Sequence, residues 1–122
     1  SLVMLISYAL GALTSRILFK GRENTPVFEL LISVMNNMSV DCDCVSKPES
    51  VKLKDYGILA SLDPVALDQA CVDIIFNMTP SEGNDNAPLV ERIKSRHGTH
   101  TIEHAEKIGL GSRKYQLISI DK

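Results

Sequence analysis

The sequence has no tryptophan, and its three tyrosines and three phenylalanines bring aromatics to only 5% of 122 residues. A stacking platform for single-stranded nucleic acid needs more aromatic faces than that. Charge of one sign is also missing. The 13 basic and 15 acidic residues leave a net charge of -2, without the basic field that drives non-specific nucleic-acid binding. Cysteine is scarce: there are three, none in a Cys-x-x-Cys spacing. An odd number cannot all pair within the chain, which argues against a disulfide scaffold and for a reducing, cytoplasmic compartment. No apolar run is of bilayer-spanning length, because the run from Leu2 to Leu13 is interrupted by Ser7 and followed by Thr14, Ser15 and Arg16. The start lacks the charged n-region and cleavage site of a signal peptide. A phosphate-binding Gly-Lys-Ser/Thr loop is absent, as is any local signature of a Ser-His-Asp or Cys-His nucleophile.

What is present is an ordinary globular composition, 44% hydrophobic and 23% charged, which predicts one α/β domain over residues 1–122. A chain of this size buries roughly two thirds of its unfolded surface, so it needs no metal or disulfide staple. The charge is unevenly spread, at +1 over residues 1–40, -6 over 41–85 and +3 over 86–122. The acidic middle repels phosphates and attracts cations, unless it is simply a solvated surface.

Residues Leu2 to Leu18 are apolar nearly all round a helical axis, which predicts a largely buried helix. Val27 to Met35 and Tyr56 to Ser61 read as interior strands, and the non-periodic Asp41 to Asp55 as a long loop. Asp63 before Pro64 is an N-cap signal. The following helix has Leu67, Ala70, Cys71, Ile74, Ile75 and Met78 on one face. The polar Thr79 to Asn86 is a turn cluster. Two more helices fit Pro88–Arg96 and Thr101–Ile108, the second stopped by Gly109, and Tyr115 to Ile120 reads as a final strand. The order predicts a small mixed or parallel sheet of about three or more strands covered by helices.

The sharpest chemical cluster is Asp41, Cys42, Asp43 and Cys44. Thiolates favour zinc or iron, and flanking carboxylates can complete or tune such a site. The same residues also fit a redox thiol pair, or turn aspartates beside cysteines packed as small hydrophobes. Cys71 reads as core, and Asp73 as solvated. Asp63 and Asp68, at the start of a helix that follows a strand, are candidates for a supporting shell at the cleft where open α/β sheets bind ligands. His97, His100 and His104 have chelating helical spacing but no evident third partner. Gly109-Leu-Gly111 follows a helix, so it reads as a chain reversal.

Three stretches are more specific than composition: Asp41-Cys-Asp-Cys44; Asp55-Tyr-Gly-Ile-Leu-Ala-Ser-Leu-Asp-Pro-Val-Ala-Leu-Asp-Gln-Ala-Cys-Val-Asp73; and Ile108-Gly-Leu-Gly-Ser-Arg-Lys-Tyr-Gln-Leu117. Together they resemble the C-terminal part of the domain of unknown function 362 family, often described as iron–sulfur-centre proteins. The resemblance implies a C-terminal module of a larger protein. Its partners would be the remainder of the parent polypeptide or a ferredoxin-type domain, with no nucleic acid and no membrane. It also implies a redox or metal context, with any cluster held mainly outside this chain.

Two functions are therefore expected as alternatives: a metal- or iron–sulfur-associated redox module acting through the Asp41–Cys44 loop, or a non-catalytic docking module with no metal of its own. An independent enzyme using Asp68 as acid or base is a third reading. If the two interior strands are parallel neighbours, the Asp41–Cys44 loop and the Asp63–Asp68 helix start leave the sheet at the same edge. Cys42 or Cys44 then lies near that helix start, whose partial positive charge favours thiolate.

Overall fold

The computed structural model describes residues 30–41, 45–47 and 50–121. In chain order the elements are strand β1 (Leu31–Met35), strand β2 (Gly57–Ser61), and helices α1 (Pro64–Asn77), α2 (Ala87–Ser95) and α3 (Gly98–Lys107). The predicted helix Leu2–Leu18 and the start of the first predicted strand, at residues 27–29, lie outside the described residues.

The domain is mixed α/β, but its sheet differs from the expectation. Among the described residues it has two strands, and they are antiparallel, with Leu31 opposite Ser61, Ser33 opposite Leu59 and Met35 opposite Gly57. The reason lies in the connection. Parallel neighbours need a crossover, usually a helix, and no helix is found among the described residues between Met35 and Gly57. Asn37 turns the chain out of β1 with a left-handed φ of 50°, a conformation asparagine tolerates, and its backbone N–H donates to Asp55 Oδ1 at 2.7 Å. The returning arm is pinned to the turn after α1: Asp85 N–H donates to the Lys52 carbonyl (2.8 Å) and Lys54 N–H to Asn84 Oδ1 (3.1 Å).

The predicted strand at Tyr115–Ile120 is not formed. That stretch has no regular secondary structure, and Leu117, Ile118 and Ile120 are exposed. Alternating β-prone residues make a strand only where a neighbouring edge accepts their hydrogen bonds, and here they meet none among the described residues.

Helix α1 is the centre of the fold because both of its sides are used. One stripe, Leu67, Ala70, Cys71 and Ile75, packs on Met35 and Leu59 of the sheet and on Leu89 and Ile93 of α2. The other, Val65 and Val72, packs on Ile102 of α3 and on Leu110. Periodicity found the first stripe and missed the second. Each large aliphatic side chain buried in this way contributes about 1.5–3 kcal/mol.

Helix α3 ends in a paired reversal. Gly109, at φ +79°, donates its N–H to the Glu106 carbonyl and Leu110 donates to Ala105, both at 3.0 Å. The left-handed residue is the glycine expected there. The reversal aims Leu110 into the second cluster.

Candidate functional site

The second and third sequence motifs meet at the start of α1. Asp63 is its N-cap: Oδ1 accepts the N–H groups of Val65 (2.9 Å) and Ala66 (3.2 Å). Its own N–H donates to Ser61 Oγ at 3.0 Å. The second carboxylate oxygen, Oδ2, accepts the Ser112 N–H at 2.8 Å. Gly111 passes so close to this carboxylate that a Cβ there would overlap Asp63 Oδ1. The Gly-Leu-Gly-Ser stretch is thus a reversal followed by a close approach to Asp63.

The joint continues along the helix. Arg113 donates to Glu106 through both its backbone N–H (2.8 Å) and its Nε (2.9 Å), and these bonds hold the Glu106 carboxyl below its ordinary range. Tyr115 OH donates to Asp73 Oδ2 at 2.7 Å. The hydrogen bond to that carboxylate, with some desolvation, pushes the Tyr115 phenol up to about 12. Asp73, expected to be solvated, is instead half-buried between Tyr115 and Gln69, whose Nε2 donates to Oδ1 at 2.8 Å. Asp63 and Asp73 therefore bind the segment after α3 to α1. Both carboxylates have their oxygens committed.

Asp68 is different. It is half-buried and has no hydrogen-bond or ion-pair partner among the described residues, and burial raises its carboxyl to about 7. One turn on, Cys71 is fully buried and its Sγ lies 3.4 Å from Ser33 Oγ of β1. Burial pushes the Cys71 thiol up. The Ser33 hydroxyl, which can turn to donate to a thiolate, opposes this in part, and the Asp68 charge reinforces it. Chemically, Asp68 can hold or release a proton near neutrality, whereas Cys71 is an inert core thiol, as its place on the apolar face predicts.

Of the proposed metal cluster, Cys42, Asp43 and Cys44 lie outside the described residues. Asp41 is described, and its Oδ2 is 3.1 Å from Arg92 Nη2 of α2 in a half-exposed ion pair. Ser39, two residues earlier, donates from Oγ to the Asp41 carbonyl at 2.6 Å. The antiparallel pairing sets the described ends of the two strands apart: Met35 of β1 lies opposite Gly57, and Ser61 of β2 lies opposite Leu31. β1 ends beside the start of β2, so the two strand exits lie at opposite ends of a pair about 17 Å long. The parallel arrangement on which closeness of the cysteines to the helix start depended is not present.

Among the described residues, no group of three or more His, Cys, Asp or Glu side chains is placed to hold a metal ion. His100 and His104 are exposed and stacked on α3, with ring centroids 6.4 Å apart, and they gain no third partner; His97 is exposed at the turn before that helix. An all-cysteine four-iron cluster needs four thiolates. With three cysteines in the chain and Cys71 sealed in the core, the donor set does not fit one. No helix among the described residues is long and apolar enough to cross a membrane.

Sequence reasoning named Asp63 but missed its distant partner Ser112, and it missed Arg92 for Asp41 and Tyr115 for Asp73. The signal available for the first was Gly111, a second glycine too late to serve the helix end. The others carry no pattern in sequence.

No curated protein and no solved structure matches the chain. The model of the family described as Domain of unknown function (DUF362) matches residues 12–73, from the apolar N-terminal stretch through β1 and β2 into α1. That span is half of the chain, and the chain belongs to this family.

Proposed function

We propose that this chain is a non-catalytic packing and docking module of a larger DUF362 polypeptide, and that the outer face of its sheet seats another element of that polypeptide. The observation that carries this reading is the apolar surface facing away from α1. Ile32 and Val34 of β1 are 53% and 55% exposed, and Ile58 of β2 is 69% exposed, with Leu30 and Leu62 at the adjoining end similarly open. Val34 stands opposite Ile58 and Ile32 opposite Ala60, so the side chains form one contiguous face. An antiparallel sheet with one solvated face ordinarily alternates apolar and polar residues. Here both faces are apolar, and an uncovered pair of strands is at best marginally stable. Binding of an environment-sensitive hydrophobic dye tests the reading. The intact polypeptide leaves this face dry and binds little dye in the native state; strong native-state binding that Ile58→Lys abolishes refutes it.

A second reading is favoured by the bracing of the Asp41 loop. Arg92 holds its start, and the Lys52 and Lys54 backbone bonds hold its return. In this reading Cys42 and Cys44, with Asp43, bind zinc or iron, or contact a cluster held elsewhere in the polypeptide or on a ferredoxin-type partner. Asp41 is then a positioning residue whose carboxylate is occupied by Arg92. Metal analysis of protein purified without oxygen, beside the Cys42→Ser/Cys44→Ser double variant, decides it. Equal metal content in the two ends the reading.

A further inference from the structure

We propose that the element seated on the outer sheet face is the segment Gln116–Ile120, which follows α3, supplied by a second copy of the chain, so that two copies exchange these segments reciprocally. The inference rests on the reading of that face as a packing surface and adds the identity of its occupant.

The two surfaces match in spacing and in charge. Ile118 and Ile120 are 71% and 90% exposed, in a stretch without regular secondary structure. In an extended chain they project to one side, about 6.7 Å apart, with Leu117 and Ser119 on the other. The outer sheet face repeats that interval, with Ile32 and Val34 on β1 opposite Ala60 and Ile58 on β2. Neither Gln116–Ile120 nor these four residues carry a charge, so contact strips water from no ion.

The same copy cannot supply the segment. Ser112 and Tyr115 are bonded to Asp63 at the start of α1 and to Asp73 within it, and α1 packs on the inner face of the sheet. Residues 116–120, which follow Tyr115, reach about 17 Å. Passing from the α1 layer to the outer side takes about 10 Å, and lying along the strands takes about 17 Å more.

The area is that of a stable dimer. A large aliphatic side chain carries roughly 90 Å² of apolar surface that burial can remove from water. Scaled by their exposures, the five apolar side chains of the face with Ile118 and Ile120 supply about 400 Å² per copy, or about 800 Å² in a reciprocal pair. Apolar atoms make up about 57–65% of an interface. The whole contact is therefore roughly 1,300 Å², within the range of specific, stable interfaces. Reciprocal exchange also closes the assembly at two copies by a two-fold axis.

Photo-cross-linking tests the assignment in the intact polypeptide. Ile58 is replaced by the photoreactive amino acid p-benzoylphenylalanine, which an exposed position accommodates. The expected product has twice the mass of the chain on a denaturing gel and joins position 58 to a peptide containing residues 116–120. Its yield is expected to be severalfold above that from the same probe at exposed Glu91 of α2, and to fall to that level in the double variant Ile118→Lys/Ile120→Lys, whose changes fall on side chains exposed in the single copy. Cross-links within one chain, to any other segment, or of undiminished yield in the double variant overturn the assignment of Gln116–Ile120 while leaving the face a packing surface. Solvent adducts alone, with no protein cross-link, overturn both.

Discussion

The Asp63 carboxylate binds Ser112, 49 residues further along the chain, through Oδ2 at 2.8 Å while Oδ1 caps α1. One side chain thus starts the central helix and fixes the segment that follows the last one. Loss of an N-cap costs about 0.5–2 kcal/mol, and the Ser112 N–H loses its acceptor as well. Asp63→Ala is expected to lower the unfolding free energy by about 2 kcal/mol. Asp63→Asn, which can still cap the helix, is expected to lose less than half of that. Urea denaturation of the three proteins measures both.

Gly111 provides the complementary test, because a methyl group there overlaps the carboxylate. Gly111→Ala is expected to cost about 1–3 kcal/mol, the usual range for overpacking. In an Asp63→Ala background the same change is expected to cost much less, since the atoms it strikes are gone. Additive losses in a double-mutant cycle would show the two residues to be uncoupled.

Asp68 sets a pH dependence whose sign follows from burial. Its carboxyl titrates near 7 in the fold, against about 3.9 when unfolded. Between those values the native state binds the extra proton, so stability falls as pH rises from about 4 to 7 and is flat in this group outside that window. Asp68→Asn is expected to remove this slope and to be more stable than the native sequence at pH 7. Denaturation midpoints of the two proteins across the window measure the difference.

The helices after β2 were legible in sequence because their signals are local. Asp63-Pro64 marks the start of α1, Gly109 marks the end of α3, and the Leu67-Ala70-Cys71-Ile75 stripe gives a buried face. Strand direction was not legible, since it depends on how the chain between Met35 and Gly57 returns. Tyr115–Ile120 shows the same limit: its alternation is that of a strand, but pairing requires an edge that local sequence does not reveal. The contacts of Asp63 with Ser112, Asp41 with Arg92 and Asp73 with Tyr115 span 49, 51 and 42 residues, beyond the reach of any periodic pattern.

Thiol reactivity is expected to separate Cys71 from Cys42 and Cys44. Cys71 is 0% exposed, and only the thiolate is nucleophilic, so its alkylation in native buffer is expected to wait for unfolding. At least one of Cys42 and Cys44 is expected to label first. Mass spectrometry of a timed iodoacetamide reaction reads the order, and equal rates at all three would refute it.

The central claim, that the outer sheet face is a packing surface, is tested most directly by the stability of Ile58→Lys in the intact polypeptide. A charge placed on a covered face loses its hydration and displaces its neighbour, and the account predicts a loss of about 2 kcal/mol or more. On a face left open to water the same change costs no more than the difference in strand propensity, within about 1 kcal/mol. A loss that small would contradict the account.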